Sequence, residues 1–561
     1  MPGIRVSGMV LVQSRTRSVL VAAIGLLCLV PAIASASAKP TPPKSRPSTH
    51  PPSPPQSLRI AIPFASPTVD PALVADDENV QLAGMLYSGL VRLDSSYRVV
   101  PDDAQRIVIS PDHRTYTFYL RKDLRFSNGD PITAYDFRFS LNRSLTPGVK
   151  SPSAPTYLLD IDGARLVLEG KAKSASGIRV LNTLTLQLTT RWPVPYFLME
   201  LTYPTSFVLD KAAVLKSGSI DNTGWYANPV SSGPYRLKSW APNSQMTLVP
   251  NKYYYGHKSA LRSIDVVLTN LPSSGLYQYV SHNLDVVTLP SYDKSLLKKP
   301  GIHDARALSV DGIYMNFKTK AFTNGHLRRA LAVALNRSKM VSSVMGATAS
   351  PFGGSVPSGQ PGYDPKLQLP RYDVSSGQRE LAAAGSANVK ALNGMTLYFA
   401  DDPSIAKLAQ AIVKAWHDTL KITVGTQALA LTTLLADVQS SSLPLYLLGW
   451  SADYPDPHDF LSLQWKSRAP DNNVHYSNPT FDTIVSKADV TWNPALRVKL
   501  DNQAQQELAN DTAWIPLYIP HRLVYIRPTV ANLDVTGYGL IPRFGSWAQV
   551  QIKATPSRAA R

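Results

Sequence analysis

From Leu58 onward, apolar and polar positions recur along the chain with two different periods. In "TYTFYLR" the residues Tyr116, Phe118 and Leu120 fall on one side of an extended segment. "LTLQLTT" repeats the pattern with Leu184, Leu186 and Leu188. Both predict half-exposed strands. "LRIAIPF", "KITVGTQ" and "LPLYLLGW" are denser apolar runs and predict further strands, the first of them buried. The other period is helical. "ENVQLAGMLYSGLVRLD" spaces Val80, Ala83, Tyr87 and Leu90 for one helix face. "HLRRALAVALNRSKMVSSVM" predicts one helix burying Leu327, Leu331, Ala334, Val341 and Met345. "SIAKLAQAIVKAWHDTL" predicts another, with Ser404 as N-cap and Ile405, Leu408, Ile412 and Trp416 inward. The pattern is mixed α/β, without a repeat of solenoid type.

The first 57 residues do not share this patterning. Arg15 and Arg17 precede "VLVAAIGLLCLVPAIA", and "ASASA" follows as an A-x-A type cleavage site. This reads as an export signal over residues 1–38. Cys28, the single cysteine, excludes an internal disulfide; Leu27 before it argues against lipidation. Residues 39–57 are proline-rich, and a polyproline II tether or an unstructured leader fits them equally.

With 561 residues, 44% of them hydrophobic, the chain is large enough for several domains. Six of its positive charges (Arg5, Arg15, Arg17, Lys39, Lys44 and Arg46) precede residue 57, leaving +12 of the formal +18 dispersed over the rest. Neither a basic stripe nor a nucleic-acid motif accompanies them, so a nucleic-acid partner is not expected. Enzyme signatures are also missing. There is no H-E-x-x-H, no Walker A loop and no G-x-S-x-G, and "SYDKSLLK" has S-x-x-K without its partner motifs. No catalytic residue, metal or cofactor is expected.

One segment calls for a chemical explanation. "GWSADYPDPHDFL", Gly449 to Leu461, follows an apolar strand and carries Asp453, Asp456 and Asp459 among aromatic rings. Pro455 and Pro457 forbid a helix through its middle. His458 beside the acids could ligate a metal, but the spacing matches no known loop. Asp456 and Asp459 read as solvated, turn-forming acids. Asp453 differs because it lies just past a strand end, where α/β sheets open onto their ligand crevice. Flanked by Trp450 and Tyr454, its carboxylate suits an ammonium group. An Asx-turn or a helix cap is the alternative for it.

Taken in order, the motifs resemble the family-5 extracellular solute-binding proteins of ABC importers, the oligopeptide- and dipeptide-binding class. "TVDPALVADDENVQLAGMLYSGLVRLD", "YTFYLRKDLRFSNGDPITAYDFRFSLNRSL", "SSGPYRL", "LDVVTLP", "IYMNF", "LRRALAVALNRSKMV", "GWSADYPDPHDFL" and "YSNPTFDTIVSKA" carry the likeness. It implies an α/β, two-lobed periplasmic-binding-protein-like fold of type II. The first lobe would combine residues 58–90, 205–311 and 525–561, with a small domain inserted at 91–204. The second lobe would span 312–524, with crossovers near "IYMNF" and "WIPLYIP". The resemblance further implies that Asp453 holds a peptide's α-ammonium group. Gly449, Trp450 and Ser451 would bind its backbone as an added strand, Tyr157 would assist, and Asp456 and Asp459 would shape the loop. Relatives specific for dipeptides carry an arginine for the ligand carboxylate where "YFADDPS" has Asp401 and Asp402, so longer peptides fit better. The implied partners are a peptide and the permease subunits of an ABC importer, and the implied state is a monomer. Another amine-bearing or cationic solute, such as a nickel chelate or an amino-sugar compound, is the alternative ligand.

Overall fold

The computed structural model describes residues 56–62, 67–242, 244–268, 281, 283–289, 300–367, 369–543 and 545–553. The expected export signal and nearly all of the proline-rich segment lie outside the described residues.

A single 12-stranded sheet organises most of the chain. Strand Ser57–Ile62 pairs in parallel with Ser263–Leu268 on one side and with Val286–Thr288 on the other. The strands Tyr235–Ala241 and Gln245–Pro250 extend that half as an antiparallel hairpin. The other half contains Ser309–Met315, Leu445–Ser451, Thr396–Ala400 and Gly425–Leu429. One long strand, Trp514–Ile526, belongs to both halves. Its first residues pair with Ser309–Met315, and its last with Val286–Thr288 and Ile302–Arg306. A continuous strand shared by two sheet halves is a natural crossover between lobes, and it contains the expected "WIPLYIP".

A separate four-stranded antiparallel sheet holds Ala104–Ile109, Thr115–Leu120, Ile178–Asn182 and Thr185–Thr189. The predicted alternation is present here. Tyr116, Phe118 and Leu120 are buried, and their odd-numbered neighbours less so. Leu186 and Leu188 are buried as well, whereas Leu184 is only partly so and precedes the strand. Their core takes in two residues from far along the chain, Tyr454 and Leu463.

Three helix expectations need correction. The segment from Glu78 is helical only within Asp77–Leu86, so Tyr87 is its C-cap and Leu90 lies beyond it. The segment from His326 is two helices, Gly325–Val333 and Arg337–Val344. Asn336 breaks it, because its side chain accepts from Lys339 N–H and starts a second helix. All five residues named for its inner face are nevertheless buried. In Pro403–Leu420 the N-cap is Asp402 and not Ser404. Asp402 accepts from the N–H groups of Ser404 and Ile405 at 2.7 and 3.0 Å, with Pro403 at the first helical position. This helix lays Leu408, Ile412 and Trp416 into the core, with Ile405 half-buried.

Candidate functional site

The site forms where strand Leu445–Ser451 runs out. Burial falls along it, from buried Leu445, Tyr446 and Leu447 to exposed Ser451. On one side it pairs along its whole length with Ser309–Met315. On the other side only Tyr446 has a partner, Tyr398. The edge beyond Tyr446 has no paired strand among the described residues. Ala452 N–H donates to Leu308 C=O at 2.7 Å, in the same register as the pairing. Antiparallel alternation therefore turns the N–H and C=O groups of Gly449 and Ser451 away from that partner, toward the open edge. Gly449 is required for the sheet geometry. A Cβ there would overlap the carboxylate of Asp311, the residue directly opposite.

A cavity of about 540 Å³ lies against this strand end, within the size range of ligand pockets, about 300–1,000 Å³. Gly449, Trp450, Ser451, Asp453 and Tyr157 all line it. Five of the six residues singled out in the sequence are thus brought together from two distant parts of the chain. The Asp453 carboxylate has no hydrogen-bond or ion-pair partner among the described residues. Burial raises its pKa well above the ordinary carboxylate value, and the nearby charges of Asp77 and Asp471 push it further the same way. It is a carboxylate that a cation would stabilise.

Tyr454, the sixth residue, does not line this cavity. Its ring is wholly buried in the core of the four-stranded domain, edge-on to Tyr157 at 5.9 Å between centroids. Its hydroxyl is 2.6 Å from His458 Nδ1. Tyr454 is a strut behind the site. His458 is equally committed, stacked on Tyr196 at 3.8 Å, and burial lowers its pKa to about 3, keeping it neutral.

The solvated reading of Asp456 and Asp459 is also corrected, since both are buried. Asp456 caps the short helix Pro457–Phe460, accepting from His458 N–H at 2.9 Å, and takes both terminal nitrogens of Arg497. Pro457 sits at the first position of that helix, the place a helix tolerates it. Asp459 accepts from the Trp450 indole N–H at 3.0 Å and from Asp453 N–H at 3.4 Å. It thereby fixes two of the cavity-lining residues from behind.

Sequence reasoning missed the other acids that line the cavity, Asp76, Asp77, Glu78 and Asp471. The first three resemble an ordinary helix start, and they are one: Asp76 caps Asp77–Leu86. Asp77 is paired with Arg522. Glu78 is pushed up to about 7, chiefly by burial and then by Asp77. A second, smaller cavity of about 170 Å³ adjoins Gly449, walled by Ala400, Ile405, Leu408 and Leu447.

The family model "Bacterial extracellular solute-binding proteins, family 5 Middle" matches residues 98–472, well over half of the chain. This chain belongs to that family. Its place of action is therefore extracytoplasmic. The oligopeptide-binding protein OppA of Bacillus subtilis is 26% identical over 476 residues, spanning 82% of this chain and 87% of the relative. The periplasmic oligopeptide-binding protein OppA of Escherichia coli is 28% identical over 481 residues, with 83% and 87% covered. The crystal structure of Haemophilus influenzae OppA in complex with RPPGFSPFR shares the fold. Its TM-score is 0.76 at 24% identity, covering 89% of this chain and 99% of that one.

Proposed function

We propose that this protein captures peptides outside the cytoplasm and delivers them to the permease subunits of an ABC importer. Asp453 holds the peptide's α-ammonium group, and the N–H and C=O groups of Gly449 and Ser451 extend its backbone as an added strand. One observation carries this reading: an unpartnered carboxylate stands at the end of a strand whose outer edge is open. The oligopeptide-binding names of the relatives agree with it, and those names describe binding rather than catalysis. A different amine-bearing solute would use the same carboxylate but would leave the open edge idle, which favours the peptide.

The absence of an arginine at "YFADDPS" favours peptides longer than two residues. Asp402 is engaged there as a helix cap. The protein acts as a monomer, exported by its N-terminal segment, and its lobes close on the ligand about the shared strand Trp514–Ile526. Calorimetric titration with tetra-alanine tests the function. Saturable one-to-one binding, with dialanine much weaker, is expected. Failure of tetra-, penta- and hexa-alanine all to bind would contradict it.

A further inference from the structure

The acids that line the cavity are not balanced by the protein. Asp77 has Arg522, and Asp76 is occupied by the Asn79 N–H and side-chain amide at 2.7 and 2.8 Å. Glu78, Asp453 and Asp471 form no ion pair among the described residues, although Arg522, paired with Asp77, also acts on Glu78, and no Lys, Arg or His lines the cavity. One oxygen of Asp471, Oδ2, is buried without a hydrogen-bond partner. A peptide's α-ammonium compensates one of these three groups only.

A second observation points independently to a ligand. Tyr157 lines the same cavity and is only 3% exposed. Its hydroxyl has no hydrogen-bond partner among the described residues. That hydroxyl opens into the cavity, where a bound molecule can supply a partner.

We infer that the receptor selects peptides with a basic side chain close to the N-terminus, and that Glu78 and Asp471 are the residues that recognise it. The inference rests on the peptide reading above and adds the substrate class. A lysine or arginine side chain supplies the second positive charge beside Glu78 and Asp471, where partial exclusion of water strengthens the pairing. An acidic side chain at the same place meets the two remaining carboxyls, Glu78 and Asp471, and is rejected.

The test is calorimetry on the native, full-length protein with Ala-Ala-Ala-Ala, Ala-Lys-Ala-Ala and Ala-Glu-Ala-Ala. The lysine peptide should bind about tenfold or more tighter than tetra-alanine, and the glutamate peptide at least as much weaker. The spread should shrink at high salt. The double variant Glu78→Gln, Asp471→Asn should bring the three affinities together. If native protein binds all three equally, the inference is overturned and the peptide reading stands. If none binds, both fall. If calcium alone binds at micromolar concentration and excludes the lysine peptide, the acids are a metal site, and the inference is again overturned.

Discussion

Asp70 and Asp453 are both carboxylates withdrawn from bulk water, and the protein treats them in opposite ways. Asp70 is 1% exposed and receives two N–H groups of Arg143 at 2.9 and 2.6 Å, the Tyr226 hydroxyl at 2.8 Å and Ala72 N–H at 3.0 Å. Arg143 also donates its Nε–H to Ile220 C=O at 2.9 Å. Asp453 receives nothing on its side chain among the described residues. The same contrast separates Asp456, clamped by Arg497, from Glu78 on the cavity wall. At Asp70 and Asp456 the fold supplies the countercharge itself. At Asp453, which lines the cavity, no countercharge is supplied among the described residues, at a cost in stability that a bound cation would relieve.

The contrast breaks most visibly at Asp70. Asp70→Asn leaves Arg143 buried without its partner and should cost about 3–5 kcal/mol of unfolding free energy, read by chemical denaturation. The folded fraction should keep its affinity. Asp453→Asn should do the reverse. Removing one side of a desolvated charge pair costs about 2–5 kcal/mol of binding. Affinity for tetra-alanine should therefore fall by roughly 30-fold to several thousand-fold, with the melting temperature unchanged or higher. Gly449→Ala should cost about 1–3 kcal/mol of stability, because the new methyl displaces the Asp311 carboxylate.

The smallest effect is one of pH. Glu78 titrates near 7 in the folded protein against an ordinary 4.5, raised by burial, Asp77 and Asp76 and opposed by Arg522 and the helix backbone. Asp471 is raised to about 6 in the same way, by burial. The native state therefore holds these protons more tightly than the unfolded chain does. Their contribution is most favourable below about 4 and declines as pH rises to about 7, then stays level. The melting temperature of the unliganded protein should decline over that range, and Glu78→Gln should flatten part of the decline.

Much of this was legible from local patterning. Alternation located Tyr116, Phe118 and Leu120, and the end of an apolar strand located Asp453. The neighbouring acids were misread because their partners come from elsewhere: Arg497 lies 41 residues beyond Asp456, and no local rule pairs them. Tyr454 was misassigned for a related reason. An aromatic next to a cavity-lining acid looks like a cavity wall, yet its ring turns back into the core of the four-stranded sheet. The other acids of the cavity were hidden more thoroughly, since Asp76, Asp77 and Glu78 satisfy the ordinary rules of a helix start and so raised no question. Ser404 lost the cap to Asp402 by two residues, a distinction set by which carboxylate reaches the free N–H groups.

The most direct measurement is a double-mutant cycle by calorimetry, pairing native protein and Asp453→Asn with tetra-alanine and its N-acetylated form. Each single change should weaken binding by about 2–5 kcal/mol. The two together should cost far less than their sum, because both remove one interaction. Native protein that binds the acetylated peptide as tightly as the free one would contradict the account, since the ammonium would then have no partner at Asp453.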